Sequence, residues 1–244
     1  MKTFVIGDIH GGLKALIQIL DQVTISANDR LIFLGDYVDG WSESVQVLDY
    51  LMDLNLKHNC IFIRGNHDAL LLEWLTNENP NFNENLWKLH GGEATILAYK
   101  NIDDSHKERH ITFLKNLHNY FIDENNNLFV HAGFSNVKGV AFEYHETAFY
   151  WDRTLWEVAL ALNPNLPTDS ALYPKRLKLY KQLFIGHTPV TQIQETKPIS
   201  FANVWNMDTG AAFNGKLSIM DIDTKEVWQS DFLKNLYPNE RGRN

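Results

Sequence analysis

Residues 31–41 read LIFLGDYVDGW: the apolar run Leu31-Ile32-Phe33-Leu34 breaks at Gly35, delivers Asp36 and Asp39, and continues into Gly40-Trp41. The run has the look of a buried strand, bounded by a glycine that lets the chain turn. Free carboxylates at the lip of a core are costly unless a cation or hydrogen-bond donors compensate them. Either a turn uses the two aspartates structurally, or positive charge sits beside them.

The neighbouring strands repeat the pattern. Thr3–Ile6 ends in Asp8 and His10 (FVIGDIH), and Cys60–Ile63 in Asn66, His67 and Asp68 (IFIRGNHD). Leu128–Val130 ends in His131 (LFVHAG), and Leu183–Ile185 in His187 (LFIGHTP). Between them lie the amphipathic stretches Leu13–Gln22 and Val45–Leu54 and the Leu-rich Ala69–Leu75. Alternating strands and helices predict an α/β fold. Open α/β sheets collect ligands at the carboxyl ends of their strands, so these distant Asp, Asn and His residues are expected to converge.

The rest of the chain is less regular. Segments 77–127 and 135–182 are variable, the first around a predicted helix near 86–99, the second carrying FYWDRTLW and NPNLPTD. The stretch NMDTGAAFNGKLSIMDI suggests a hairpin, and the polar residues 235–244 suggest a frayed tail. Without a repeat or a clear linker, 1–234 reads as a single domain.

Composition excludes some partners. The formal charge is −8 and no Lys/Arg-rich block is present, which argues against duplex nucleic acid. No apolar stretch approaches the roughly 20 residues of a membrane span. The first strand reaches Asp8 and His10 too early for a signal-peptide core. Cys60 is the single cysteine, in keeping with a reducing compartment, and a cytoplasmic location is expected.

Asp and Asn oxygens with His nitrogens are borderline-hard ligands suited to Mn²⁺, Fe or Zn²⁺. A carboxylate can bridge two ions, and Asp36 is the candidate. Alone, each residue has an ordinary reading: a turn aspartate, a core histidine, an asparagine after glycine. Jointly they point to metal.

The blocks GDIHG, GDYVDG, GNHD, VHAG and GHTP, in this order from residue 7 to 189, resemble the signature of the calcineurin-like metallophosphoesterases. The likeness is greatest to the branch of phosphoprotein phosphatases and symmetrical diadenosine tetraphosphate hydrolases. Pro189 stands where many diesterases and nucleases of the superfamily carry a second histidine. The resemblance implies a four-layer α/β/β/α sandwich of two mixed sheets and two divalent ions, Mn²⁺ first, with Fe or Zn²⁺ as alternatives. It implies that Asp8 and His10 bind the first metal, that Asp36 bridges, and that Asn66, His131 and His187 complete the second site, Asn66 also meeting substrate. His67 would assist the leaving oxygen, oriented by Asp39, during in-line attack of a metal-bridging hydroxide. A phosphoserine/phosphothreonine protein or a general phosphomonoester ranks first as substrate. Dinucleoside polyphosphate is the close rival, and a metal-binding regulatory module is the reading from outside enzymology.

One departure stands out. The branch commonly carries GDxVDRG, whose arginine faces substrate phosphate; here those positions are Gly40 and Trp41. Arg153 in YWDRTLW is the best remaining clamp, while Arg64 reads as packing, and Lys88, Lys175 and Arg176 are remote alternatives. Asp68 reads as a helix N-terminal residue, His90 as a turn or substrate-side group, and Asp208 as structural but near the site. The aromatics Phe149–Trp151 read as core or lid packing rather than a base-stacking platform. His58, His106, His110, His118 and His145 read as surface or packing residues.

Overall fold

Each apolar run faces two cores at once, which is why the runs are uninterrupted. In the computed structural model, which describes residues 1–243, β1 (Thr3–Ile6) turns Phe4 and Ile6 toward flanking helices and Val5 toward the opposite sheet. β2 (Arg30–Phe33) likewise splits Leu31 and Phe33 from Ile32, following the period of two that a strand imposes. The helix α1 (Leu13–Asp21) between them buries Ala15, Leu16, Ile19 and Leu20, and α2 (Ser44–Asn55) buries Val45, Val47, Leu48 and Leu51. β3 (Asn59–Phe62) leads into α3 (Asn66–Thr76). Next come the short α4 (Glu84–Trp87) and α5 (Glu93–Ala98), then α6 (Asp104–Lys115).

The second half repeats the arrangement. After β4 (Tyr120–Ile122), β5 (Asn127–Val130) sends Leu128 and Val130 outward and Phe129 inward. The helices α7 (Ala148–Trp151) and α8 (Thr154–Ala161) cover the outer face, and β6 (Gln182–Ile185) stacks Phe184 on Phe129 with ring centroids 4.9 Å apart. β7 (Ile199–Phe201), β8 (Val204–Asn206), β9 (Ser218–Asp221), β10 (Val227–Gln229) and α9 (Leu233–Leu236) complete the chain.

The two five-stranded sheets have orders β10-β9-β1-β2-β3 and β4-β5-β6-β8-β7. β1, β2 and β3 are parallel, as are β5, β6 and β8; β9 runs antiparallel between β1 and β10 in the first sheet, and the edge strands β4 and β7 are antiparallel in the second. The sheets pack face to face through Val5, Ile32, Phe129, Phe184, Met207 and Met220, with helices outside both: a four-layer α/β/β/α sandwich, as the motif resemblance implied.

Three local expectations are corrected. The helix foreseen near 86–99 is broken at His90-Gly91, because Gly91 takes φ 103° and ends one helical run before α5 begins. The stretch 206–222 is no hairpin. Its two ends belong to different sheets, β8 pairing with β6 and β7, and β9 with β1 and β10. The tail does not fray over 235–243, while Asn244 lies outside the described residues. Tyr237 is 2% exposed and stacks on Trp41 at 5.2 Å, and the Tyr237 hydroxyl accepts the Lys14 amide. Trp41 is itself fully buried and donates its indole N–H to the Ala211 carbonyl at 2.7 Å. The polarity of these residues misled because one buried tyrosine on one buried tryptophan anchors the whole segment.

Trp41→Ala should therefore cost about 3–5 kcal/mol in urea unfolding, the usual loss for a large buried aromatic. It should also speed tryptic cleavage at Lys234 and Arg241. An unaltered unfolding midpoint would show that the segment contributes nothing to the fold.

Candidate active site where the two sheets meet

The parallel strands of both sheets end at one cleft of about 530 Å³, whose floor includes His10, Asp36, Asn66, His67, His187 and Asp208. Asp36 sits at the centre. Its Oδ2 lies 3.5 Å from His10 Nε2 and 3.4 Å from His131 Nε2. Asn66 Oδ1 lies 3.2 Å from His131 Nε2 and 2.9 Å from His187 Nδ1. Asp8 Oδ2 lies 4.0 Å from His10 Nε2 and accepts the His187 amide at 2.9 Å. The structure thus brings together all six predicted ligand candidates, each of them buried.

Backbone geometry makes this convergence possible. His10, Asp36, Asp39 and His187 adopt left-handed φ values of 52°, 53°, 72° and 68°, conformations that persist only where surrounding structure over-determines them. Gly186 has no substitute at its position: a Cβ there would lie 2.0 Å from Asp8 Oδ1. The turn carrying Asp36 is held by Asp68, whose carboxylate accepts the amides of Gly65, Asp36 and Tyr37, each at 2.8 Å. Asp68 is thus more than a residue favourable to a helix dipole. It ties the ends of β2 and β3 together.

The ring nitrogens are sorted. His131 Nδ1 donates to the Leu34 carbonyl at 2.8 Å and His10 Nδ1 to the Val38 carbonyl at 3.2 Å, which leaves both Nε2 atoms facing the carboxylates. Fixing one ring nitrogen on a backbone carbonyl is how proteins orient histidine ligands. Among the described residues, Asp8 Oδ1 and His187 Nε2 are buried without hydrogen-bond partners.

The electrostatics are those of a crowded anionic site. Burial, with Asp208 and Asp36 nearby, pushes the Asp8 carboxyl well up. Burial and Asp36 push Asp68 up to about 7, and burial pushes Asp208 up to about 6. Burial also opposes ionisation of Asp36, but His131, His67 and His10 around it hold its carboxyl well below the usual range. His131 is raised to about 10: burial pulls it down, and the charges of Asp36 and Asp8 outweigh burial. Buried carboxyls gathered around one ionised carboxylate form a site that a cation relieves.

Asp39 has a socket of its own. Its carboxylate accepts His67 Nδ1, the Trp87 indole N–H and the Thr95 hydroxyl, each at 2.6 Å. Trp87 and Thr95 come from the irregular segment 77–127, where no motif pointed to them. The His67 ring is thereby fixed, 5.0 Å from that of His10. Arg153 stands on the cleft wall beside Trp151 and acts electrostatically on His187. Arg64 donates to the carbonyls of Leu114 and Lys115, a packing role, and Arg176 donates to the Phe134 carbonyl. His90 lines the cleft, while His106 and His110 of α6 share Asp49 of α2, away from it, and His110 is fully buried. Phe149 is core, as foreseen, but Trp151 is 46% exposed and turns its ring edge-on to His187 at the cleft.

The profile of the calcineurin-like phosphoesterase family matches residues 1–209. The chain belongs to that family. It is accordingly a phosphoester hydrolase, and the family implies divalent metal ions. The phosphoesterase is 27% identical over 247 residues to the asymmetrical bis(5'-nucleosyl)-tetraphosphatase PrpE of Anoxybacillus flavithermus, covering 91% of each chain. It is 24% identical over 285 residues to the symmetrical bis(5'-nucleosyl)-tetraphosphatase of Buchnera aphidicola, covering 96% of this chain and 100% of that one. In fold it is similar to a protein serine/threonine phosphatase of Saccharomyces cerevisiae, with a TM-score of 0.58 at 15% identity, over 95% of this chain and 80% of that one. No helix among the described residues is long and apolar enough to cross a membrane.

Because three backbone amides depend on it, Asp68→Ala in the phosphoesterase should cost about 3 kcal/mol or more in urea unfolding of metal-free protein. Asp68→Asn, which keeps one acceptor oxygen, should fall in between. Equal unfolding midpoints for wild type and Asp68→Ala would contradict the role given to this carboxylate.

Proposed function

We propose that the phosphoesterase is a two-metal hydrolase of dinucleoside polyphosphates such as diadenosine tetraphosphate. The observation that carries the reading is the composition of the cleft. An Asp/Asn/His floor opens between aromatic and apolar walls made by Phe82, Leu86, Trp151 and Phe213, with Arg153 and Arg243 at its sides. A polyphosphate bearing bases has the matching parts: anionic oxygens for the floor and arginines, and flat π-faces for the walls. A phosphoprotein substrate, ranked first on sequence alone, draws its support from the yeast phosphatase, whose likeness is one of fold. The two full-length relatives named above are both nucleosyl-tetraphosphatases, which favours the rival reading.

The donor set fits two divalent ions, hard enough for Mn²⁺, with Fe or Zn²⁺ as alternatives. Asp8, His10 and Asp36 would hold one ion, and Asp36, Asn66, His131 and His187 the other. The orphaned Asp8 Oδ1 and His187 Nε2 and the crowded carboxyls support a cation here. When bound, the ions supply charge stabilisation of the phosphoryl oxygens and an activated water.

The chain's own groups do the rest. His67, its Nδ1–H given to Asp39, presents Nε2 to the cleft and can deliver a proton to the departing phosphate oxygen. The Trp87 and Thr95 donors fix the Asp39 carboxyl in place and so hold the ring at one angle. Arg153 offers a guanidinium to phosphate oxygens, and Trp151 offers a face or edge to a base.

Incubation with a chelator should abolish hydrolysis of diadenosine tetraphosphate, and added Mn²⁺ should restore it and raise Tm in wild type but not in Asp36→Asn. His67→Gln should lower kcat roughly 10²- to 10⁴-fold with metal content unchanged. Chromatography of the products decides the bond cleaved, since two ADP mark symmetrical and ATP plus AMP asymmetrical cleavage. Faster turnover of a phosphopeptide than of diadenosine tetraphosphate would reverse the substrate assignment. Trp151→Ala should raise KM for the dinucleotide roughly tenfold and leave KM for p-nitrophenyl phosphate unchanged, as expected for base stacking.

A further inference from the structure

Gly40 and Trp41 depart together from the motif that the rest of the chain follows, and the structure gives both a use in one contact. A Cβ on Gly40 would lie 3.3 Å from Arg243 Cγ, and a Cβ on Gly91 would lie 2.9 Å from the same atom. The two glycines are joined by a hydrogen bond from the Gly40 amide to the Gly91 carbonyl at 3.1 Å, and both have left-handed φ, 104° and 103°. They form a slot, and the aliphatic stem of Arg243 lies in it.

The segment that carries Arg243 is anchored on Trp41. The Trp41 ring stacks on Tyr237, and Gly242 is pressed so close that a Cβ there would lie 2.7 Å from the indole. The Arg243 amide donates to the Ala212 carbonyl at 2.8 Å, next to the Ala211 carbonyl that accepts the Trp41 indole. Glu240 accepts from the Ser42 amide and hydroxyl at 3.0 and 2.8 Å. Gly40 makes room, and its neighbours hold what fills the room.

The far end of Arg243 belongs to the cleft. Its guanidinium carbon lies 5.3 Å from the Phe213 ring centroid, and the residue lines the same cavity as His10, Asp36, Asn66, His67 and His187. Arg243 Nε is buried without a hydrogen-bond partner among the described residues. A guanidinium beside a donor set suited to cations gains nothing from those cations. It gains from an anion with oxygens spaced for its planar fork, and phosphate is such an anion.

We propose that Arg243 is a substrate-binding residue that grips a phosphoryl group of the substrate, reaching the site through the Gly40–Gly91 slot from a segment docked on Trp41. The proposal rests on the reading of the cleft as a phosphoester site. It gives the phosphoesterase two phosphate-facing arginines, Arg153 and Arg243, neither of them in the GDYVDGW block. Phosphate affinity then depends on the docking of a segment some 200 residues away in sequence.

The test uses the full chain loaded with Mn²⁺ and inorganic phosphate as the probe. Arg243→Gln keeps most of the stem in the slot and removes the charge; Arg243→Lys keeps the charge and removes the fork. Calorimetric titration should show phosphate Kd raised roughly 10- to 100-fold in Arg243→Gln and less in Arg243→Lys, with Tm of both close to wild type. Phosphate Kd unchanged in Arg243→Gln would overturn the proposal and leave Arg243 a packing residue. So would a wild type that binds no phosphate. Because the titration needs no turnover, a wild type that binds phosphate but hydrolyses no phosphoester would refute the proposed function and leave the test of Arg243 intact.

Discussion

A buried, ionised Asp36 is the constraint around which the molecule is arranged. Taking a carboxylate out of water costs several kcal/mol unless its surroundings are charged or donating. Here the surroundings come from both sheets: the His10 ring from the end of β1, the His67 amide from the start of α3, and His131 from the end of β5. No sequence-local structure could supply that set. The facing of the two sheets is therefore what allows Asp36 to stay charged, and Asp36 is what makes the edge a site rather than a seam.

The same logic reaches outward one shell. Asp68 accepts the amides that define the Asp36 turn, and Asp39 is enclosed by an indole, a hydroxyl and an imidazole. Both are buried acids that donors surround, and both immobilise something else: a loop in one case, a ring in the other. Preorganisation of this kind contributes to catalysis because the groups need not reorganise as charge develops. It also explains the interruption at His90-Gly91. Trp87 has to point its N–H inward at Asp39 while Gly91 turns the chain to meet Gly40.

What could be read from residues alone follows from locality. The ligand candidates each sit within a few positions of a buried strand's end, so an apolar run plus a polar terminus disclosed them; strand-helix alternation reached only an α/β fold, and the four layers came from the motif resemblance. Trp87, Thr95 and Arg243 could not be found that way. They reach the site from a broken helix and from a polar segment, and nothing in their spacing relates them to Asp39 or Gly40. The hairpin foreseen around 206–222 failed for a related reason. Three-residue β8 ends in Asn206 and leads to Asp208 at the cleft, a strand-end delivery too short to stand out. The frayed tail failed because a count of polar residues does not weigh a single Tyr237 stacked on Trp41.

A glycine in place of an arginine invites the conclusion that a function was lost. Packing argues otherwise. Were Gly40 a mere loss, the space above it would fill with solvent or close up, and a tryptophan beside it would have no reason to be fully buried. Instead the vacated volume holds the stem of another arginine, and Trp41 supplies the surface on which that arginine's segment rests. This guanidinium stands beside Phe213 in the cleft that His10 and Asp208 also line, carried there by the C-terminal segment rather than by the β2 turn. That placement leaves the β2 turn free of a long side chain and shapes the cleft for an extended anion flanked by aromatic walls. Moving the charge while keeping it is a change of specificity, and it is consistent with a substrate longer than a single phosphate.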